Sequence, residues 1–235
     1  LCIKDKSLWE VMRQHFKLKS AENDPLVRKY IFWYQKNPQS LHTAIDRSKL
    51  YMHFILSMTI ENDLPAELAL LPFVESHNDP FAHSAAGASG LWQMMPSIAS
   101  SQQMQINHWQ DERRCIIKST YNALTHLKYL HRVFQGNWEH AITAYNAGEG
   151  RIKKTLRQHN SNKKSIWNHN LNAETKQYLP KLLALQAIIK NPKKYGFTLE
   201  TLPNTPAFTP VVLKQSYAFP QLEEICNIPA DTLRV

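Results

Sequence analysis

Glycine and cysteine are scarce in this chain, and long apolar runs are missing. Six glycines occur among 235 residues, and five of them lie between Gly87 and Gly150. Backbone that must bend sharply or approach a ligand closely is therefore concentrated in one stretch. The three cysteines, Cys2, Cys115 and Cys226, are far apart, so they indicate neither a disulfide framework nor, with histidine, a metal site. No apolar run is long enough to span a bilayer.

The charge balance favours one kind of partner. Lysine and arginine number 28 and aspartate and glutamate 19, which gives a net charge of +9. A basic surface suits an anionic partner such as nucleic acid, membrane headgroups or an anionic polymer. The basic residues are spread along the chain and form neither a zinc-finger spacing nor a long basic helix. The charge alone therefore does not decide the partner. We expect no nucleic acid, because a nucleic-acid-binding protein would leave the pairing of Glu75 with the glycines Gly87 and Gly90 unexplained.

Apolar residues recur at helical spacing along most of the chain, and alternating strand patterns are nearly absent. The predicted fold class is all-α and globular. We expect helices over residues 7–17, 23–36, 41–61, 65–76, 96 onward, 119–134, 137–148 and 173–190. Pro180 predicts a kink in the last of these. The expected organisation is an N-terminal helical segment over 1–50, a catalytic domain over 51–190 and a proline-rich extension over 191–235.

Two cysteines and one helix boundary receive specific predictions. We interpret Cys115 and Cys226 as small apolar residues of the core. Ser119 is interpreted as the cap of the helix over 119–134, and Tyr121 as part of the inner stripe of that helix.

Glu75 is a candidate general acid. It ends an apolar run, Leu68–Val74, and an apolar setting disfavours the charged form of a carboxyl and raises its pKa. A helix that starts at Asn62–Pro65 would place Glu75 near its negative C-terminal end, which acts in the same direction. A carboxyl that keeps its proton near neutral pH can serve as a general acid.

Glu75 is the first of four motifs that occur in order along the chain. The motifs are Glu75-Ser76, the glycine-containing stretch Ser84–Pro96, Ala144-Tyr145-Asn146-Ala147-Gly148 and Glu174-Thr175-Lys176-Gln177-Tyr178. Together they resemble the lytic transglycosylases with the soluble-type catalytic domain, the goose-lysozyme-like superfamily, and most closely its membrane-bound murein transglycosylases. The resemblance covers most of the chain and implies a lysozyme-like α-domain with N-terminal helices and a short C-terminal extension.

The resemblance also implies roles for eight residues. Glu75 matches the catalytic glutamate of the family, which acts first as general acid and then as general base. The positions that match substrate-binding residues are Ser84 beside the sugar, Gly90, Gln93 and Met95 along the cleft, Tyr145 and Asn146 at the N-acetyl groups, and Tyr178, whose hydroxyl reaches the catalytic carboxyl.

The implied reaction cleaves the β-1,4 bond between N-acetylmuramic acid and N-acetylglucosamine without water and leaves 1,6-anhydromuramyl ends. Most glycosidases need two carboxylates, whereas Asp79, the second candidate here, is interpreted as a loop cap before Pro80. Two alternatives stay open: a hydrolytic muramidase in which Asp79 or another acid holds a water, and a peptidoglycan-binding domain without activity. Trp92 and Trp138 are candidates either for sugar stacking or for the core.

The implied substrate also predicts a location. Peptidoglycan strands as partner imply the periplasm of a Gram-negative bacterium. The chain begins with Leu1 rather than Met, which indicates an upstream segment, and a lipid anchor at Cys2 or upstream would attach the protein to the outer membrane. Residues 211–235 resemble the stretch that precedes LysM repeats in many relatives, and no full repeat follows in this sequence. Two interpretations stay open: the sequence is truncated before such repeats, or glycan is bound through the catalytic cleft alone. We expect a monomer that needs no cofactor and no metal.

Overall fold

The computed structural model describes residues 7–159, 166, 169–213, 215–226 and 229. Within those residues the regular secondary structure is helical, and extended backbone pairs only in isolated bridges. The predicted all-α class is therefore confirmed. In this part of the chain, no helix is both long and apolar enough to cross a membrane. Cys2, the candidate anchor position, lies outside the described residues.

The α-helices are α1 Leu8–Gln14, α2 Pro25–Lys36, α3 Pro38–Ser48, α4 Met52–Glu61, α5 Leu71–Glu75, α6 Pro96–Ser101, α7 Ile116–Val133, α8 Trp138–Ala147, α9 Glu149–His159, α10 Ala173–Lys190 and α11 Phe219–Cys226. Short 3-10 helices cover Ala66–Leu70, Glu112–Arg114 and Pro192–Tyr195.

Helix α10 is the central element of the core. It begins where the side chain of Asn172 accepts a hydrogen bond from the backbone N–H of Thr175 at 2.8 Å, and it contains Pro180, as predicted. It packs against α2, α8, α5 and the 3-10 helix Ala66–Leu70. Its residues from Leu182 to Ile189 are buried. Because α10 contacts both the N-terminal helices and α5, it fixes the position of Glu75 relative to the rest of the core.

The predicted helix over 41–61 is two helices. The first ends at Ser48 and the second begins at Met52, and the Ser48 hydroxyl donates to the carbonyl of Ile45 at 2.7 Å. Tyr51 is buried, and its hydroxyl donates to the backbone carbonyl of Asn78. The break arises because this contact draws Tyr51 inward.

The predicted helix over 65–76 is also wrong in form. A 3-10 helix covers Ala66–Leu70 and is followed by the five-residue helix α5. Pro72 has no backbone N–H, so the α-helical hydrogen bond to Leu68 cannot form and the tighter turn precedes it. Asp63 has a φ of 56° and Pro65 is the N-cap without a side-chain bond. No side chain therefore caps the start of this helix.

Three predictions about α7 and one about α11 are wrong. The helix begins at Ile116 with Cys115 as its N-cap, so Ser119 lies inside its first turns, and Tyr121 is 59% exposed on the outer face. The buried stripe contains Leu124, Leu127 and Leu130, as the helical spacing of apolar residues predicts, together with Ser119, Thr120 and Ala123. Cys115 and Cys226 are exposed free thiols rather than core residues, because each stands at the end of a helix on the surface.

Candidate active site

A cleft of about 410 Å³ opens at the C-terminal end of α5. Its walls come from α5, the loop that follows Ser84, and helices α6, α7, α8 and α10. Seven of the eight residues predicted for the site line this cleft: Glu75, Ser84, Gln93, Met95, Tyr145, Asn146 and Tyr178. Residues that are up to 103 positions apart in sequence are thus brought into direct contact.

Glu75 is the last residue of α5 and forms part of the cleft wall. Burial raises the pKa of its carboxyl from 4.5 to about 7, with a smaller contribution in the same direction from Glu174. Tyr178 and Lys181 act in the opposite direction on that pKa. Helix α5 is barely more than one turn long, so the macrodipole invoked from the sequence contributes little. Near neutral pH the carboxyl therefore exists in both protonation states and can donate or accept a proton.

Two tyrosines surround this carboxyl. The hydroxyl of Tyr178 donates to Oε1 of Glu75 at 2.5 Å, and the hydroxyl of Tyr145 donates to the backbone carbonyl of Trp92 at 2.9 Å. Burial, with the nearby Glu75 as a further cause, raises the pKa of both phenols well above its ordinary value. Both hydroxyls therefore keep their protons and act as donors. Asn146 follows Tyr145 at the end of α8 and lines the same cleft.

The loop after Ser84 forms the opposite wall through hydrogen bonds of its own. The hydroxyl of Ser84 accepts from the backbone N–H of Ala88 at 3.0 Å. Gln93, at a φ of 44°, donates from its side-chain amide to the carbonyls of Ala82 at 3.1 Å and Gly90 at 2.9 Å. The loop geometry is thus fixed by bonds that involve three of the predicted site residues, Ser84, Gly90 and Gln93.

Gly90 does not line the cleft, contrary to the sequence prediction. It is buried with a φ of +81°, and a Cβ added there would lie 2.0 Å from the carbonyl oxygen of Arg113. The guanidinium of Arg113 donates to the carbonyls of Gly87 at 2.7 Å and Met94 at 3.1 Å and pairs with Asp111 at 2.7 Å. Gly90 therefore lets the chain pass close to Arg113, whose side chain then holds the loop.

Comparison with known proteins identifies the family. The family described as "Transglycosylase SLT domain" matches residues 52–168, and membrane-bound lytic murein transglycosylase D of Escherichia coli K12 is 35% identical over 232 residues. This chain belongs to the SLT-domain transglycosylases. The aligned region covers 98% of this chain and 51% of the relative, so the chain spans about half the length of that protein. The same protein of Escherichia coli O6:H1 has the same identity and coverage.

Two further similarities are more partial. A putative tributyltin chloride resistance protein from an Alteromonas species is 38% identical over 148 residues, which are 63% of this chain and 72% of that protein. The X-ray structure of an inactive mutant of lytic transglycosylase Slt from Pseudomonas aeruginosa matches with a TM-score of 0.48 and 21% identity, over 64% of this chain and 24% of that one.

The cleft of this SLT-domain chain also contains residues that the sequence interpretation missed. His126 of α7 lines it with its ring 5.9 Å from that of Tyr145. Glu174 and Lys181 line it from α10. Positions 174, 178 and 181 are spaced i, i+4 and i+7 along α10, which places them on one helix face. Because Tyr178 was already a candidate, this helical spacing could have identified Glu174 and Lys181 as cleft residues from the sequence.

Three residues that the sequence made candidates for the site have other contacts in the structure. Asp79 is not among the residues that line the cleft, and its carboxylate accepts from the backbone N–H of Phe81 at 2.9 Å, as expected of a loop cap. Trp92 is fully buried and donates to the hydroxyl of Thr120 at 3.0 Å, so it belongs to the core. Trp138 stacks on the ring of His131 at 3.9 Å.

Proposed function

We propose that this chain is a peptidoglycan lytic transglycosylase that cleaves the β-1,4 bond between N-acetylmuramic acid and N-acetylglucosamine and leaves 1,6-anhydromuramyl ends. The observation that carries this proposal is Glu75 itself, a carboxyl in an open cleft with a pKa raised to about 7 and a hydrogen bond from Tyr178. Membership of the SLT-domain family supports the same reaction class. The net charge of +9 suits an anionic envelope polymer.

In the first step protonated Glu75 gives its proton to the glycosidic oxygen. The bond from that oxygen to C1 of the muramyl residue breaks, and the N-acetylglucosamine side leaves as an alcohol. C1 gains oxocarbenium character, and the oxygen of the muramyl N-acetyl group stabilises it. Because the substrate supplies this oxygen, the step needs no second protein carboxylate.

In the second step the Glu75 carboxylate takes the proton from the C6 hydroxyl of the same muramyl residue. The C6 oxygen attacks C1 and closes the 1,6-anhydro ring. Glu75 ends the cycle protonated, as it began, and no water is consumed. A pKa near the working pH suits a group that serves as acid and then as base, and burial supplies that pKa.

The other cleft residues bind and orient the strand. Tyr145 and Asn146 hold the acetamido group so that its oxygen faces C1, which is an orientation effect. Tyr178 fixes the rotamer of Glu75 through its 2.5 Å hydrogen bond. Ser84, Gln93 and Met95 contact the sugars from the opposite wall.

We propose an envelope location for the same reasons. The relatives from Escherichia coli are described as membrane-bound, and peptidoglycan as substrate requires exposure to the periplasm. Attachment to the outer membrane through a lipid at Cys2 or upstream is part of this proposal, as is a monomeric protein. We also propose that residues 1–50 support a catalytic domain over 51–190, with 191–235 as an extension that leads toward glycan-binding repeats.

Mass analysis of the products released from purified peptidoglycan sacculi tests the function. We expect anhydromuropeptides from the unaltered protein. Glu75→Gln should lower the rate by roughly three orders of magnitude or more, because an amide cannot donate the proton, while its oxygen can still accept from Tyr178. Appreciable activity in this variant would contradict the single-acid mechanism.

A hydrolytic muramidase is the second candidate, and Glu174 favours it. This carboxylate lines the same cleft as Glu75 and is exposed, so it is available to orient a water. Hydrolysis would give reducing ends that are about one water heavier than the anhydro products. Reducing-end products that disappear in Glu174→Gln would replace the transglycosylase with a hydrolase.

A further inference from the structure

Lys181 is a cation that the mechanism above does not use. It lies on α10, lines the cleft and is half-buried. Its ammonium lies 5.6 Å from the centre of the Tyr30 ring, and the Tyr30 hydroxyl donates to the side chain of Gln177. The Tyr30 ring beside the ammonium is therefore itself held to α10 by a hydrogen bond.

Lys181 has no carboxylate partner in the part of the chain that the structure describes. Lys181 is not among the lysines that form ion pairs there, which are Lys17, Lys49, Lys118, Lys153 and Lys194. Partial burial of an ammonium removes some of its hydration, and an aromatic ring replaces only part of that. The ammonium thus keeps hydrogen-bond donors for a group that enters the cleft.

The charge of Lys181 acts where the substrate would lie. Its charge opposes the burial that raises the pKa of Glu75. The pKa of His77, the second residue after Glu75, is lowered mainly by burial, and Arg47 and Lys181 contribute in the same direction. Glu174 begins the same helix face with the opposite charge, seven residues or about 10 Å earlier along the axis. The α10 wall of the cleft is therefore negative at one end and positive at the other, with Glu75 influenced by both.

We infer that Lys181 forms a carboxylate-binding subsite beside Glu75 and makes the protein selective for glycan strands with anionic substituents. This inference rests on the proposed function only in taking a peptidoglycan strand as the ligand. The sugar rings are neutral, so the carboxylates come from one of two sources. These are the peptide stems and the lactyl group that remains on muramic acid when the stem is removed.

A purely structural role for Lys181 makes a different prediction. If the residue only covers the Tyr30 ring with its methylene stem, then Lys181→Met keeps that packing and changes no substrate preference. Lys181→Arg keeps the charge. Lys190→Met is the matched control, because Lys190 lies on the same helix nine residues away, on the opposite side, and does not line the cleft.

The test compares three preparations of the same glycan strands, all with their amino groups acetylated. The first keeps its stems, the second has them removed by an amidase, and the third has its carboxylates converted to amides with carbodiimide and ammonia. The measured quantity is the ratio of kcat/KM between preparations for each variant. A ratio within one variant cancels any change that Lys181→Met causes in the pKa of Glu75.

We expect the unaltered protein to prefer at least one carboxylate-bearing preparation over the amidated one by about tenfold, the size of one charge-assisted contact. The preferred preparation identifies the source of the carboxylate. Lys181→Met should bring the ratio close to one, whereas Lys181→Arg and Lys190→Met should keep it. Absence of a preference in the unaltered protein, or its persistence in Lys181→Met, would overturn the subsite.

Measurements of binding distinguish a failure of this inference from a failure of the proposed function. The dissociation constants of the three preparations are measured by calorimetry in the Glu75→Gln background, where turnover does not interfere. If no strand is cleaved by the unaltered protein but the carboxylate-bearing strands bind about tenfold more tightly and lose this advantage with Lys181→Met, the subsite stands and the catalytic proposal fails. Equal binding of all preparations would overturn the subsite whatever the catalytic result.

Discussion

Glu75→Gln should stabilise the protein, and the gain should grow with pH. Burial raises the pKa of Glu75 from 4.5 to about 7, so the folded state holds this proton more tightly than the unfolded state. The unfolded carboxyl ionises first as the pH rises, and folding stability is lost from about pH 4.5 until the pH passes the folded pKa. Glutamine has a similar shape and does not ionise, so its variant lacks this loss.

The magnitude follows from the two pKa values. At about 1.4 kcal/mol for each tenfold change in proton affinity, the rise from 4.5 to about 7 corresponds to about 3 kcal/mol once both states are ionised. Most of this loss falls between about pH 5 and pH 8. Glu75 is partly open to the cleft, and solvent screening reduces the effect. We therefore expect the advantage of Glu75→Gln to increase by about 2 kcal/mol across this range.

Urea unfolding of both proteins at about pH 5 and pH 8 measures this quantity. All other titrating groups are common to the two proteins, so the change with pH of the difference between their free energies of unfolding isolates Glu75. Equal m-values would show that the unfolded states are comparable. A difference that stays constant within about 0.5 kcal/mol would refute the claim that burial holds this carboxyl protonated near neutral pH.

The remaining predictions concern the residues around Glu75 and one surface thiol. Tyr178→Phe should lower kcat about 10- to 100-fold. It should also move the alkaline fall in activity to higher pH, because the hydrogen bond from Tyr178 lowers the pKa of Glu75 and its loss raises that pKa. An unchanged pH–rate profile would remove Tyr178 from this role. Gly90→Ala should cost more than about 2 kcal/mol of stability in urea, since the new Cβ would lie 2.0 Å from the carbonyl oxygen of Arg113. A near-neutral result would mean that the loop can move. Cys115 should react with Ellman's reagent at the rate of a free thiol in the folded protein, which slow labelling would contradict.

Local signals predicted several elements closely. Helix α8 begins after Asn137, whose side chain accepts from the backbone N–H of His140 at 3.1 Å, and ends at Gly148 with a φ of 88°. Helix α10 has the predicted bounds. In both cases the signal and the structure that it specifies lie within a few residues of each other, as capping and helical periodicity require.

Errors occurred where a distant contact decided the local conformation. The break after Ser48 depends on the bond between Tyr51 and the carbonyl of Asn78, 27 residues further on. Gly90 was predicted to line the cleft, but in the structure it packs against the backbone of Arg113. Neither partner can be inferred from the residues adjacent in sequence.

The sequence by itself determined the helical class, through the spacing of its apolar residues, and identified Glu75 and its companions through four ordered motifs. Only the tertiary structure decided how these residues act on one another. In the folded chain the hydroxyl of Tyr178 lies 2.5 Å from the carboxyl of Glu75, and Glu174 and Lys181 lie on the same wall of the cleft. Arg113 stabilises the loop that forms the opposite wall. The reason is physical: desolvation and Coulomb interaction depend on distances in space, and here those distances join residues up to 103 positions apart in the chain.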